Sequence, residues 1–192
     1  MAAVVRRAFV LAALLLATPA VVAADDALWA LLARGGQVVL MRHALTTPGV
    51  GDPSGFRLDD CATQRDLTDA GRDDARKVGA AFRARGIPIA HVRSSPWCRC
   101  LETAQLAFGR AEPWTPLSNL YGRSEREGEQ MTPLREMAGR RPVGGNVILV
   151  THGSVVLPLT GIHPGPAEIV VVTPEGGGRF RVAGRLAPAG PR

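Results

Sequence analysis

Short runs of β-branched and aliphatic residues alternate with helical segments along the chain, and this alternation constrains the fold more than any other feature. Strands that alternate with helices build a parallel sheet whose faces are covered by those helices. The predicted strands, the last of them an edge strand, span residues 37–41, 87–92, 146–151, 168–173 and 180–185. The sequence therefore predicts one α/β domain with a mainly parallel central sheet flanked by helices.

Capping signals bound two of the predicted helices. Thr68 is a predicted N-cap, and Gly86 ends the helix that follows it. Pro96 is the predicted first residue of a second helix, because proline has no N–H group to lose at that position. Residues 109–145 are rich in Pro, Gly and charge, and they predict a long excursion with one short helix at 133–138.

The formal net charge of +6 comes from arginines scattered among acidic residues, without a basic run. Aromatic residues make up 5% of the chain, and no groove-reading motif is present in the sequence. This pattern argues against nucleic acid as a partner, and the 192 residues are enough for one domain with a substantial core.

The first residues have the features of an export signal. Arg6 and Arg7 precede the apolar run 8–22, and small residues up to Ala24 offer a cleavage site. We expect residues 1–24 to be a cleaved signal peptide and residues 25–192 to be the mature domain, either periplasmic or secreted. The two arginines fit both an ordinary and a twin-arginine signal, so the export route stays open. The run is too short and too Ala-rich for a membrane anchor, and no stable membrane insertion is expected after signal removal.

Cys61, Cys98 and Cys100 are the cysteines of the chain. In an oxidising compartment they predict one disulfide and one remaining thiol. A zinc site would require more closely spaced Cys and His residues than the sequence contains. We therefore interpret the cysteines as structural and expect no metal.

Charged side chains follow the predicted strands at matching points. His43 comes just beyond the first strand, next to Arg42, and His152 comes just beyond the third. Arg99 lies in the first turn of the helix that follows the second strand. The carboxyl ends of parallel strands meet in one crevice, where arginine forks and helix N-termini bind phosphate well. The four residues therefore predict a phosphate site.

The two other histidines, His91 and His163, have no such placement in the sequence. We interpret both as surface residues or satisfied core residues, which is the usual situation of an isolated histidine.

Four motifs follow one another in the chain: LMRHA at 40–44, LTDAG at 67–71, SSPWCRCLETA at 94–104 and VTHG at 150–153. In order and spacing they resemble the histidine phosphatase superfamily, which has the phosphoglycerate-mutase-like fold. The cysteines on either side of Arg99 and the Gly51–Pro53 segment resemble a periplasmic branch of that family. The branch includes phosphatases that act on phosphorylated heptose in the lipopolysaccharide core.

The resemblance implies a role for each residue of the predicted site. His43 would attack phosphorus and carry a transient phosphohistidine, while Arg42, Arg99 and His152 would bind the phosphate oxygens. His152 would be catalytic as well as phosphate-binding, and no cofactor or metal would be required. Cys61 is expected to pair with Cys98 or Cys100, and Cys98 is favoured because the residue after the arginine faces inward in relatives.

The resemblance leaves the proton donor unassigned, because the region where mutase-type relatives carry a glutamate reads Leu117–Tyr121 and has no acid. Glu168 is our first choice of donor, followed by Glu125 and then Glu127. The predicted function is that of an exported, metal-independent phosphomonoesterase acting on a small or glycan-linked phosphate ester. The alternative is a catalytically impaired module of the same fold that binds phosphate or phosphoglycans.

Overall fold

The computed structural model describes residues 19–188, in which a six-stranded sheet carries helices on both faces. The strand order is β3-β2-β4-β1-β5-β6. The strands are β1 (Val38–Arg42), β2 (Ile89–Ser94), β3 (Glu112–Pro113), β4 (Asn146–Thr151), β5 (Ile169–Gly176) and β6 (Arg179–Leu186). The helices are α1 (Pro19–Ala33), α2 (Asp69–Ala84), α3 (Cys98–Phe108), α4 (Glu127–Gly139) and α5 (Gly153–Thr160). The predicted α/β fold is confirmed.

The register of the central strands aligns their carboxyl ends. β1 runs parallel to β4 with Arg42 beside Thr151, and β4 runs parallel to β2 with Val150 beside Ser94. The pairing continues one residue further, since the backbone N–H of His43 donates to the Thr151 carbonyl at 2.8 Å. The residues that follow β1, β4 and β2 therefore emerge side by side at one edge of the sheet. β5 and β6 complete the sheet in antiparallel orientation.

Both faces of β1 and β4 are buried, which accounts for their continuous apolar sequences. Alternate residues of β1 contribute to two separate cores. Val39 and Met41 belong to the core under α1, α2 and α3, whereas Val38 and Leu40 belong to the core under α4 and α5. This double burial fixes the position of the residues that follow β1.

Four elements depart from the sequence-based expectation. The short helix predicted at 133–138 belongs to the longer α4, which has Pro133 in its interior. The helix predicted to start at Pro96 begins at Cys98 instead, with Trp97 as its N-cap. The two-residue β3 and the helix α1 carried no clear signal in the sequence. Leu28 and Leu32 of α1 are buried in the core.

The predicted signal peptide falls largely on residues 1–18, which lie outside the described residues. α1 begins at Pro19 and so includes the expected cleavage site after Ala24. Cleavage there would leave Leu28 and Leu32 in place, together with the edge-on contact of Trp29 and Phe82 at 5.4 Å. Among the helices of residues 19–188, none combines the length and the apolar character that crossing a bilayer requires.

The LTDAG motif shapes the chain next to the site. The Thr68 side chain accepts a hydrogen bond from the Gly71 N–H at 3.0 Å, which confirms Thr68 as the N-cap of α2. A Cβ atom on Gly71 would lie 2.1 Å from the Leu45 carbonyl oxygen. Only glycine allows this close approach, which packs the start of α2 against the segment that follows His43.

The predicted disulfide is present between Cys61 and Cys98, and Cys100 is a buried free thiol. The bond joins the 3-10 helix Cys61–Thr63 to the first residue of α3. The Cys98 N–H also donates to the Gln64 side chain at 3.0 Å. Arg99 therefore lies in a helical turn that is held to the preceding loop by two links.

Removing this disulfide is expected to destabilise the protein. The bond spans a sequence separation of 37 residues. Closing a loop of that length lowers the entropy of the unfolded chain, which stabilises the folded state by about 3–4 kcal/mol. Urea unfolding of the Cys61→Ser/Cys98→Ser variant should show a loss of that size against the oxidised protein. The reduced wild-type protein serves as a control and should resemble the variant. Equal stability of all three samples would contradict the prediction.

Candidate active site

A cavity of about 560 Å³ opens at the carboxyl edge of the central strands. The structure brings all four residues of the predicted phosphate site to it: Arg42, His43, Arg99 and His152. His43, Arg99 and His152 are between 1% and 5% exposed and form its floor. The segment that follows His43 and the loop around Tyr121 form its mouth.

His43 is held in one orientation and one tautomer. Its Nδ1 atom lies 2.8 Å from the Ala44 carbonyl oxygen. A carbonyl oxygen only accepts hydrogen bonds, so Nδ1 carries the proton and Nε2 keeps its lone pair. Burial lowers the pKa of His43 to about 3; the bond to Ala44 opposes this effect, and the charges of nearby arginines add to it. The lowered pKa therefore favours a neutral imidazole at physiological pH, and the Nε2 lone pair stays available.

His152 lies beside His43 on the floor. The two rings are 5.3 Å apart between centroids in an edge-to-face arrangement. The Nε2 atom of His152 is 2.8 Å from the Ser95 hydroxyl and 3.4 Å from the Cys100 sulfur. Burial, followed by the proximity of His43 and Arg99, holds the pKa of His152 well below its usual range. His152 is thus neutral when the cavity is empty.

Arg99 forms a buried ion pair with Asp52, which the sequence analysis did not include in the site. The Asp52 carboxylate accepts from Arg99 Nη1 at 2.6 Å and from Nη2 at 3.2 Å. The same carboxylate accepts from the Trp97 indole N–H at 3.0 Å and from the Arg65 backbone N–H at 3.1 Å. Burial raises the pKa of Asp52, but the hydrogen bonds to Arg99 and Arg65 outweigh it and lower the pKa below its ordinary value. Asp52 therefore fixes the guanidinium as a charged pair.

A third arginine, Arg65, also lines the cavity and was missed in the sequence. Its guanidinium donates to the Gly49 carbonyl, while Arg42 Nη1 donates to the Pro164 carbonyl at 2.9 Å. The Nε atoms of Arg42, Arg65 and Arg99 are buried, and none has a hydrogen-bond partner among the described residues. The three guanidinium groups gather positive charge around one cavity, and this charge suits the binding of an oxyanion.

The model of the histidine phosphatase superfamily (branch 1) matches residues 38–142, more than half of the chain. The chain belongs to the histidine phosphatase superfamily. No curated protein sequence matches this histidine phosphatase significantly.

Solved structures share its fold at low sequence identity. The protein histidine phosphatase SixA complexed with tungstate is 20% identical, with a TM-score of 0.54 over 79% of this chain and 97% of its own. The phosphoserine phosphatase of Entamoeba histolytica in complex with 3-phosphoglyceric acid is 15% identical, with a TM-score of 0.52 over 71% of this chain and 89% of its own. At these identities the likeness shows the fold, in agreement with the phosphoglycerate-mutase-like architecture expected from the motifs.

The structure does not bring Glu168, the first choice of proton donor, into the cavity of this histidine phosphatase. Its carboxylate accepts from the Gly165 N–H at 2.6 Å and from Arg185 Nη2 at 2.7 Å. Arg185 is on β6, which pairs with β5 immediately after Glu168. The sequence places Glu168 at the start of a strand, but it does not show that the neighbouring strand carries a cation for it.

The two other acidic residues considered as donors, Glu125 and Glu127, are exposed. Glu125 belongs to the short 3-10 helix Ser124–Arg126, and Glu127 is the first residue of α4. Neither lines the cavity. By contrast, His163, which the sequence analysis had set aside, is exposed and lines the cavity at its rim.

The described residues do not offer a metal site. Within residues 19–188, no three His, Cys, Asp or Glu side chains are grouped closely enough to bind an ion. The cavity floor instead carries fixed guanidinium groups, which supply positive charge to a phosphate directly.

The two buried histidines make the folded protein less stable in acid. Both are neutral when folded, with lowered pKa values, but they take up protons near pH 6.5 when unfolded. The unfolded state therefore binds more protons below that pH, and stability falls as the pH drops from about 6.5 towards 3. For two such groups the free energy of unfolding falls by about 1–3 kcal/mol between pH 7.5 and pH 5.5.

Urea unfolding at several pH values checks this expectation. The His43→Asn variant should show a shallower loss of stability than the wild type over the same range. His91→Asn is the matched control, because His91 is exposed on β2 and does not line the cavity. A wild-type stability that does not change between these pH values would contradict the prediction.

Proposed function

We propose that this histidine phosphatase is an extracytoplasmic, metal-independent phosphomonoesterase that works through a phosphohistidine on His43. The observation that carries the proposal is the state of His43. Its Nδ1 is hydrogen-bonded to the Ala44 carbonyl oxygen. Among the described residues, none is hydrogen-bonded to its Nε2. This nucleophile shares one cavity with three arginines that have unpaired Nε–H groups.

In the first step Nε2 of His43 attacks phosphorus, and the bond from phosphorus to the ester oxygen breaks in line with the attack. The electron pair of that bond stays on the leaving oxygen, which takes up a proton. Arg42, Arg65 and Arg99 donate hydrogen bonds to the phosphoryl oxygens as charge develops on them. Asp52 keeps the Arg99 guanidinium in place without reorganisation during the step.

In the second step a water molecule attacks the phosphohistidine, and the electron pair of the P–N bond returns to Nε2 of His43. The low pKa of His43 supports both steps. A weakly basic imidazole stays unprotonated before attack and leaves readily as a neutral group. His152 approaches the same reacting group from the neighbouring strand and binds one of its oxygens.

The mouth of the cavity supports a small or glycan-linked phosphate ester as substrate. The cavity volume of about 560 Å³ lies in the range of small-molecule sites. Leu45, Val50, Leu157 and Tyr121 line the mouth and are all partly exposed to solvent. Apolar and aromatic side chains of this kind pack well on the faces of sugar rings. SixA, one of the structural neighbours, is a protein histidine phosphatase, so a phosphorylated protein side chain is the competing substrate class.

Export is supported by two independent features. The N-terminal sequence has the pattern of a signal peptide, and the Cys61–Cys98 disulfide is of the kind that persists in oxidising compartments. The mature protein is expected in the periplasmic or secreted fraction with Asp25 as its first residue. N-terminal sequencing of protein from that fraction tests this, and an uncleaved cytoplasmic chain would contradict it.

Hydrolysis of an aryl phosphate in the presence of a chelator tests the proposed activity. The aryl leaving group is good and does not depend on a strong proton donor, so the purified protein should turn it over with EDTA present. Vanadate and inorganic phosphate should inhibit by occupying the cavity. A protein that binds phosphate but shows no turnover would instead be the binding module that the sequence left open, and loss of activity with EDTA would refute metal independence.

A further inference from the structure

The cavity lacks the proton donor that the first chemical step requires. Among the described residues that line it, no aspartate or glutamate is present. The side chains there that titrate at all are the arginines, one tyrosine and three histidines. His43 and His152 are buried and neutral, which leaves His163 as the histidine with access to solvent. We infer that His163 is the general acid that protonates the leaving oxygen, an inference that rests on the proposed function.

His163 lies where an in-line reaction needs its donor. Attack by His43 from the floor directs the leaving oxygen away from the floor, towards the rim. His43 is 5% exposed, whereas His163 belongs to the exposed residues of the same cavity. Nucleophile and donor are thus a buried and an exposed residue of the same cavity.

The ring of His163 is seated against the residue that follows His152. A Cβ atom on Gly153 would lie 2.9 Å from Nε2 of His163 and 3.2 Å from its Cε1. A side chain at position 153 would push the imidazole out of this place. The contact ties the rim histidine to the start of α5 and to the floor residue before it.

The segment that follows His163 is attached to the reaction centre at several points. The Pro164 carbonyl accepts from Arg42 Nη1 at 2.9 Å, and the Ala167 N–H donates to the His43 carbonyl at 3.2 Å. Glu168 closes the turn by accepting from the Gly165 N–H at 2.6 Å. Glu168 therefore acts as a positioning residue for the His163 turn, and its ion pair with Arg185 holds it in that role.

The proton balance closes over the two steps. In the first, the imidazolium N–H of His163 transfers its proton to the oxygen that leaves phosphorus, and the free alcohol departs. In the second, neutral His163 takes a proton from the water that attacks the phosphohistidine. Inorganic phosphate leaves, and both His43 and His163 return to their starting states.

Four other hydroxyl groups reach the cavity, those of Thr46, Thr47, Ser154 and Tyr121, and they are weaker candidates. The Ser154 hydroxyl donates to Asn119 Oδ1 at 2.8 Å and accepts from the Leu120 N–H at 3.2 Å, so both its roles are taken. Tyr121 is 59% exposed, and a phenol is by its chemistry a much weaker acid than an imidazolium. Histidine titrates closest to neutrality and suits an acid that must be reprotonated in every cycle.

Single-turnover phosphorylation of the His163→Gln variant tests the inference with two substrates. With an alkyl phosphate, rapid acid quench should show phosphoenzyme formation slower by roughly 10²–10⁴, the usual contribution of general acid catalysis. With an activated aryl phosphate the same step should change only a few-fold, because that leaving group departs without a proton. His91→Gln, at the exposed histidine on β2, is the matched control and should leave both rates unchanged.

Each other outcome has a defined meaning. Equal slowing of both substrates would make His163 a binding or structural residue and overturn the inference. An unchanged alkyl rate would overturn it as well, as would a Tyr121→Phe variant that reproduces the selective loss. Wild-type protein that forms no phosphoenzyme with either substrate would instead contradict the proposed function, so the two failures are distinguishable.

Discussion

The His43→Ala variant is expected to lose aryl phosphate turnover by at least about 10⁴-fold, since removing the nucleophile of an enzyme that works through a covalent intermediate can cost about 10⁶. The substitution deletes the Nε2 lone pair and leaves the arginines, His152 and Asp52 in place. No neighbouring group can replace it, because His152 has its Nε2 next to the Ser95 hydroxyl and a pKa held low by burial.

Rapid acid quench of the wild-type protein should trap an acid-labile phosphoenzyme, and the variant should give none. Circular dichroism and urea unfolding near pH 7.5 should show that the variant is folded, because the backbone bonds of residue 43 to Thr151 and Ala167 do not involve its side chain. His91→Ala, at an exposed histidine, serves as the control. Full activity of His43→Ala would refute the assignment of the nucleophile.

The second large effect is expected from Asp52→Ala. The side chains of Asp52 and Arg99 are 2% and 1% exposed, and removal of one partner from such a buried pair costs about 3–5 kcal/mol of stability. The Arg99 guanidinium also loses its orientation, and a misplacement of about 1 Å can cost 10²-fold in rate. Urea unfolding and steady-state kinetics on an aryl phosphate measure the two losses.

Inorganic phosphate should restore part of the lost stability of Asp52→Ala, because a bound anion supplies the countercharge that Arg99 then lacks. The gain should be larger than for the wild-type protein at the same phosphate concentration. The matched control is Asp73→Ala, which removes an exposed ion pair with Arg76 and should cost less than about 1 kcal/mol. An Asp52→Ala variant as stable and active as this control would show that the pair does not organise the site.

The sequence predicted the floor of the site better than its rim. His43 and His152 follow apolar strands directly, so the order of the sheet alone brings them together. Arg42 is adjacent to His43, and Arg99 is in the first turn of a helix with a recognisable start. For these residues a local sequence pattern gives the position relative to a strand or a helix. The parallel alignment of the strand ends then brings the residues together in space.

Asp52 and Arg65 could not be placed in the same way. Asp52 is in a Gly- and Pro-rich loop, 47 positions away from the arginine it binds, and no periodicity links the two. Arg65 lies two residues before the first residue of the LTDAG motif, and that proximity is the one available signal for it. Charge complementarity across loops depends on the tertiary path of the chain, which spacing does not reveal.

The assignments around the Pro164–Gly165 turn show the same limit. Glu168 was favoured because it follows this turn and opens a strand, yet its carboxylate closes the turn and pairs with Arg185. His163 precedes the turn and was set aside as an isolated histidine. A shift of a few residues along a turn changes which side chain lines the cavity. No periodicity in the sequence identifies that residue.

The backbone bonds of His43 have a consequence for how selectivity can change in this protein. Its N–H is held by Thr151 and its carbonyl by Ala167, so the nucleophile cannot move without disturbing the sheet. The substrate must therefore adapt to a fixed point of attack. The walls above that point come from loops, including Leu45, Val50 and Tyr121, whose replacement leaves the sheet intact. The residue that attacks the substrate and the residues that select the substrate thus lie in separate parts of the chain. The range of accepted esters can therefore change while the reaction stays the same.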